Sequence, residues 1–157
     1  MTTDREGNAL VARPPAVLGT LAIFSDPWSF AILMESYFGV RRFDDFQHNL
    51  QISRNVLTKR LATLVDEDIL RRELYQSRPD RYEYRLTAKG RALYPIFLAM
   101  QRWGEEWTPA GRPQGWRLVH TSCGEETRPR MACDVCSQPV QVSDVRVTPD
   151  QGDDVQA

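Results

Sequence analysis

Ser53, Arg54, Asn55, Thr58 and Lys59 fall in one short stretch, and each is a residue type that can meet a nucleic acid. Arginine pairs with guanine and asparagine with adenine through two parallel hydrogen bonds, each worth roughly 1–3 kcal/mol of discrimination, while lysine and hydroxyl groups hold phosphates. More arginines flank the stretch, with Arg41 and Arg42 before it and Arg78, Arg81 and Arg85 after it. A second constellation follows later in the chain, where His120, Cys123, Cys133 and Cys136 make His-x2-Cys-x9-Cys-x2-Cys and use all three cysteines. Zinc takes four tetrahedral nitrogen and sulfur ligands, and a two-residue spacer lets a tight turn point two of them at one ion. The expected cofactor is therefore a zinc ion with a full protein shell, structural and not catalytic.

The first constellation needs a helix to present it. Leu57, Leu61 and Leu64 recur at i, i+4 and i+7 and so face a core, with Ser53 as the expected N-cap. The opposite face carries Asn55, Lys59, Ala62 and Asp66, with Arg54 and Thr58 on its shoulder. Arg60 falls nearer the core flank, where a structural salt bridge suits it as well as a phosphate contact. The last turn, Asp66-Glu67-Asp68, opposes the helix macrodipole and would lie away from DNA docked at the other end. Just upstream, Phe43, Phe46 and Leu50 share one face of a short helix, on which His48 reads as a surface residue or a backbone contact. Downstream, Ile69 to Tyr75 and Tyr82 to Leu86 alternate as two antiparallel strands around a basic turn over residues 76–81. Helix, helix and basic hairpin in this order make the layout of a winged helix-turn-helix, which puts one helix in the DNA major groove and the hairpin against the flanking backbone.

The remaining elements frame this module. Val17, Leu18, Leu21, Ala22 and Phe24 predict a first helix to about Ser25. Asp26-Pro27 ends it and starts a second helix that stops at Gly39. Thr87 caps a helix reaching about Trp107, in which Pro95 should produce a kink or a new turn. Its Leu93, Ile96, Phe97, Met100, Trp103 and Trp107 exceed what one small domain needs, which is the trace of a subunit interface. The fold class expected is α+β, mostly helical, a winged helix-turn-helix domain with a small C-terminal β zinc-ribbon-like appendage. The expected divisions are a disordered arm over 1–15, the winged-helix and dimerisation domain over 16–108, a linker over 109–115, the ribbon over 116–148 and a disordered acidic tail over 149–157.

Composition agrees with that layout once charge is read locally. The 157 residues carry a net charge of −1, yet residues 41–91 alone carry +4, enough for a locally basic face. No apolar run approaches the roughly 18 residues that span a membrane, and residues 1–13 hold no signal-peptide-like apolar stretch. A cytoplasmic protein without a membrane partner is expected. There is no Ser-His-Asp set, phosphate loop or paired-acid pattern, so an enzyme is not expected.

The chain resembles the HxlR-type family of bacterial winged-helix regulators. The resemblance rests on Trp28-Ser-Phe-Ala-Ile-Leu33, Arg42-Phe43 with Phe46, Ile52-Ser53 with Leu57-Thr-Lys-Arg-Leu61, Asp68-Ile-Leu70, Tyr82-Glu-Tyr-Arg-Leu-Thr87 with Gly90, and Trp103-Gly-Glu-Glu106. It covers roughly residues 16–107 and implies a homodimer built from the first and last helices, with two recognition helices about one DNA turn apart on a pseudo-palindromic operator. A repressor that covers promoter DNA is the expected role. Two features depart from the family. Pro15 stands where many members carry a cysteine, in some of them a sensor, and Ser25-Asp26-Pro27 replaces the usual Gly-Gly-Lys. No inducing ligand can be named, since aromatics between the long helices would serve a small-molecule cleft or plain packing alike.

Two rival functions come from the cysteines. The tail could be a zinc-stabilised module that docks a partner protein on a winged-helix scaffold, or Cys133 and Cys136 could form a thiol-redox pair. Against the redox reading, such a pair usually opens a helix, whereas Pro139 and β-branched residues follow here.

Overall fold

The computed structural model describes residues 15–109, 111 and 117–146. The arm expected over 1–15 lies outside them except for Pro15, the linker over 109–115 except for Pro109 and Gly111, and the acidic tail over 149–157 entirely. The chain divides into two compact units, Ala16–Arg117 and a tail that begins at Leu118.

The larger unit starts with α1, Pro15–Phe24, and α2, Pro27–Tyr37, which meet at 86°. Asp26 makes the corner. Its backbone is extended, its carboxylate accepts the Ser29 N–H at 2.7 Å, and Pro27 follows in the first turn, where a missing N–H costs nothing. Gly39, at φ 90°, ends the second helix, a conformation a side chain would resist. Next come α3, Phe43–Leu50, and α4, Arg54–Asp66, the latter capped by the Ser53 hydroxyl on the Val56 N–H. No single helix among the described residues is long and apolar enough to cross a membrane.

The leucine phasing of α4 holds in three dimensions. Leu57, Leu61 and Leu64 are buried against Ile32 and Leu33 of α2, Phe46 of α3, and Ile52, Ile69 and Leu70. Each such side chain contributes roughly 1.5–3 kcal/mol of transfer free energy. The acidic end of α4 also has its compensation, because Lys89 donates to the Glu67 carbonyl at 2.6 Å and so places a cation at the helix C-terminus.

Strand β1, Leu70–Ser77, pairs with β2, Asp80–Leu86, in antiparallel register from Leu70↔Leu86 to Ser77↔Asp80. The strands run further than the sequence suggested, leaving only Arg78 and Pro79 to turn. Tyr75 is the surplus residue of a bulge between Leu74 and Gln76, which keeps the pairing in step beyond the point where simple alternation ends. Arg42 adds a single bridge to Glu83 on the other edge of β2.

Thr87 caps α5, Ala88–Ala92, and α6 follows as Tyr94–Trp107. The helix expected as one piece is thus two, divided at Leu93, because Pro95 has no N–H for the preceding turn and its ring excludes the carbonyl four residues back. Phe30 and Tyr37 of α2 pack against Phe97 of α6, and Tyr37 also packs against Tyr94. Packing therefore accounts for the aromatics that might have lined a cleft.

The Tyr37 hydroxyl donates to the Gly90 carbonyl at 2.9 Å. Burial, with Tyr94 beside it, pushes this phenol from 10.0 up to about 12. The unfolded chain releases the proton first, so this stabilisation is intact below pH 10 and is lost as pH rises from 10 through about 12. Urea midpoints should therefore fall more steeply over that interval for the natural chain than for Tyr37→Phe. Parallel curves would show that Tyr37 does not contribute.

Candidate nucleic-acid interface

With its leucines buried, α4 turns Arg54, Asn55, Thr58, Lys59, Ala62 and Thr63 to solvent. Asn55 and Lys59 keep their side chains free of hydrogen bonds and ion pairs among the described residues, so their polar groups are available to a ligand. The Thr58 hydroxyl instead donates to the Arg54 carbonyl at 2.8 Å, which leaves its oxygen able only to accept. Ser53 is spent on its cap, although it remains exposed.

Arg60 is the structural partner that its place on the helix allowed. It meets the Asp26 carboxylate at 2.8 Å. Because the other Asp26 oxygen caps α2, one carboxylate ties the α1–α2 corner to the flank of α4. The departure from the usual Gly-Gly-Lys thus has a mechanical consequence, a fixed seating for α4.

Cation–aromatic stacking joins the N-terminal end of α4 to the hairpin. Arg54 lies over the Phe43 ring at 5.0 Å, and Arg42, the residue just before Phe43, lies over Tyr75 at 4.9 Å. Such stacking is worth about 0.5–1 kcal/mol at exposed sites and, more usefully, holds a flexible guanidinium in place. Arg41 is exposed beside them, and its carbonyl accepts the Tyr84 N–H at 2.7 Å. Arg78 and Arg81 are exposed at the hairpin tip.

Arg85 has other partners. It contacts Glu83 at 2.7 Å and Glu73 at 3.0 Å, and the Glu83 hydrogen bond and charge raise its pKa still further. Its charge is already neutralised on the sheet. Glu83 lies two residues before it on the same face of β2, and register adds Glu73, since the pair Glu73↔Glu83 is the next one on the face that carries Arg71↔Arg85. Two residues that sequence reasoning passed over matter here. Arg72 lies over Tyr82 at 3.5 Å, and Tyr75 supports Arg42. The bulge that places Tyr75 leaves no periodic signal, and the meeting of Arg72 with Tyr82, diagonal to it across the sheet, depends on strand register.

In the tail, the structure groups the four expected metal ligands as two pairs. His120 Nδ1 is 3.4 Å from Cys123 Sγ. Backbone N–H groups of Cys136 and Val135, and the Cys136 thiol, engage the Cys133 sulfur and hold its pKa below the ordinary 9.0. Among the described residues, no three His, Cys, Asp or Glu side chains gather as a ready metal site. Where a β ribbon was expected, the described residues of the tail carry only the isolated bridges Val119↔Glu126 and Ala132↔Pro139, because each tight turn is closed by a single pair.

Comparison with known proteins gives these features a context. The family model described as HxlR-like helix-turn-helix matches residues 23–112. The uncharacterized HTH-type transcriptional regulator Rv3095 of Mycobacterium tuberculosis is 40% identical over 134 residues, 84% of this chain and 82% of its own. Among solved structures, PA1607, a candidate transcription factor, superposes with a TM-score of 0.75 at 33% identity over 89% of this chain and 96% of its own. PA1374 from Pseudomonas aeruginosa, another candidate transcription factor, gives 0.60 at 33% identity over 85% and 90%. These spans are longer than residues 23–112, so the likeness runs past the winged helix into the tail.

Proposed function

The chain belongs to the HxlR-like helix-turn-helix family, and from that premise we propose that it regulates transcription by binding double-stranded DNA as a homodimer and covering promoter sequence as a repressor. A helix-turn-helix transcriptional regulator, and not an enzyme, is what its family and relatives make it. The cytoplasmic setting expected above belongs to the same reading.

The observation that carries the proposal is one run of side chains. Asn55 and Lys59 stand free on α4, Arg54 and Arg42 are held by stacking beside them, and Arg78 and Arg81 occupy the hairpin tip. In this reading Asn55 and Arg54 reach base edges, Thr58 and Ser53 accept or support, and Lys59, Arg41, Arg42, Arg78 and Arg81 meet phosphates. Arg85 is left out because Glu73 and Glu83 already neutralise it.

Dimerisation would use α1 and α6. Val17, Leu18 and Leu21 on α1 are more than half exposed, as are Trp103 and Trp107 on α6. Apolar exposure on this scale in two long helices suits burial against a second copy. Footprinting of genomic DNA should reveal paired half-sites about one helical turn apart, 10–10.5 base pairs between centres. Leu18→Glu with Trp103→Glu should give a monomer by sedimentation and lose the paired footprint. A single unpaired half-site for the natural chain, or an unchanged dimer in the variant, would overturn this arrangement.

A further inference from the structure

The tail contains a backbone repeat that the spacing of its cysteines only hints at. The His120 N–H donates to the Glu125 carbonyl at 2.9 Å, and the Cys133 N–H donates to the Gln138 carbonyl at 2.8 Å. The His120 carbonyl accepts from Gly124 at 2.8 Å, as the Cys133 carbonyl does from Ser137 at 2.8 Å. An outer bond closes each turn, Thr127 to Leu118 at 2.8 Å and Val140 to Met131 at 3.0 Å. The bridges Val119↔Glu126 and Ala132↔Pro139 occupy matching places. In both turns the residue after the second candidate ligand is left-handed, Gly124 at φ 77° and Ser137 at φ 59°. Serine gains nothing locally from that conformation, so the second turn keeps the geometry of the first at some cost. The result is two knuckles of one design, each presenting a pair of nitrogen or sulfur donors from one turn.

Among the described residues of the tail, no packed core accounts for its order. No described residue from Arg117 to Arg146 is buried, Val135 is 89% exposed and Met131 72%. A segment of this size without a core requires a cross-link or a metal to hold its shape. Three cysteines cannot pair completely as disulfides, and all three are free thiols here.

We propose that the two knuckles close on a single zinc ion, with His120 and Cys123 from the first and Cys133 and Cys136 from the second as its four ligands. Because the pairs are not gathered into one group, closure brings the second knuckle onto the first about Arg128-Pro129-Arg130, and metal binding and ordering of the tail are one event. Two neutral or thiolate pairs of this softness select zinc over the hard cations. The site has no open position and is structural.

The test uses the full chain without an affinity tag. Mass-spectrometric metal analysis should find one zinc per chain, and the stripped chain should take up one cobalt with the intense visible bands of a tetrahedral thiolate site. Cys123→Ser and Cys136→Ser should each weaken cobalt binding by more than about 100-fold, beyond the roughly 10–100-fold that loss of a mere supporting residue costs, and His120→Cys should retain the bands. Circular dichroism of the helical unit serves as the folding control, since the ligands lie outside it. The proposal is overturned by a chain without metal whose three thiols react at once, by binding that survives loss of the first knuckle, or by one metal shared between two chains.

Discussion

Asn55→Ala should weaken binding to the footprinted operator by roughly 1–3 kcal/mol, about 5- to 150-fold, with little change in affinity for unrelated duplex. The side chain is exposed on the outward face of α4, close to its N-terminal end, and among the described residues no hydrogen bond competes for it. On the proposed reading, removal therefore deletes a contact to a base without disturbing the fold. Lys59→Ala should act differently, lowering affinity for all sequences alike and reducing the slope of log K against log salt by about 1. Arg85→Ala provides the contrast. With Glu73 and Glu83 already on its guanidinium, its loss should change the salt slope little, whereas Arg81→Ala at the exposed tip should lower it. Fluorescence anisotropy across a salt series distinguishes all four variants. An Asn55→Ala, Lys59→Ala double variant that folds normally and binds the operator at full strength would remove α4 as the reading element.

Gly90→Ala should be the most damaging small substitution in the helical unit. A Cβ at this position would lie far inside contact distance of the Ile69 carbonyl oxygen and 3.1 Å from Leu86 Cδ2. The carbonyl belongs to backbone and cannot swing aside. Several restraints meet at the same point. The Thr87 hydroxyl donates to the Asp68 carbonyl at 2.6 Å and accepts the Gly90 N–H at 3.0 Å, while Tyr37 donates to the Gly90 carbonyl. Overpacking of a rigid site costs about 1–3 kcal/mol and sometimes more, and about 3 kcal/mol corresponds to a melting point lower by roughly 10–20 °C in a unit of this size. Gly104→Ala is the control, since no atom lies within 4 Å of its would-be Cβ and a helix interior favours alanine. Thermal melts of the two variants should move in opposite directions or, for Gly104→Ala, hardly at all. Matching melting points for Gly90→Ala and the natural chain would mean that α5 can shift away from Ile69 without penalty.

Much of this architecture was legible from local rules. Leu57, Leu61 and Leu64 set the phase of α4, and that phase left Asn55 and Lys59 outside. Ser53 and Thr87 were recognisable as caps because short hydroxyl side chains satisfy the free N–H groups of a first turn, and Asp26-Pro27 as the boundary between α1 and α2. Pro95 announced the break between α5 and α6. What escaped sequence reasoning in each case involved residues distant along the chain. Arg85 looked like any other arginine of a basic hairpin until register brought Glu73 of the other strand to it, beside the nearby Glu83. Arg60 had two plausible uses until the α1–α2 corner brought Asp26 to its side. Lys89 relieved the acidic end of α4 from a position more than twenty residues away. Tyr75 could be assigned to a bulge, and so to Arg42, only once both strands were paired.

The tail shows the same division on a smaller scale. Spacing alone named His120, Cys123, Cys133 and Cys136 as candidate ligands. Only the folded backbone revealed that the two turns repeat one another bond for bond, and that they do so with nothing buried to hold them.

By itself, the sequence determined which elements exist and which faces of them are apolar, because helical periodicity, capping and proline geometry act over a few residues. Tertiary structure alone decided which basic side chains remain available for DNA, because an arginine's availability depends on what strand register and helix packing bring to within 4 Å of it.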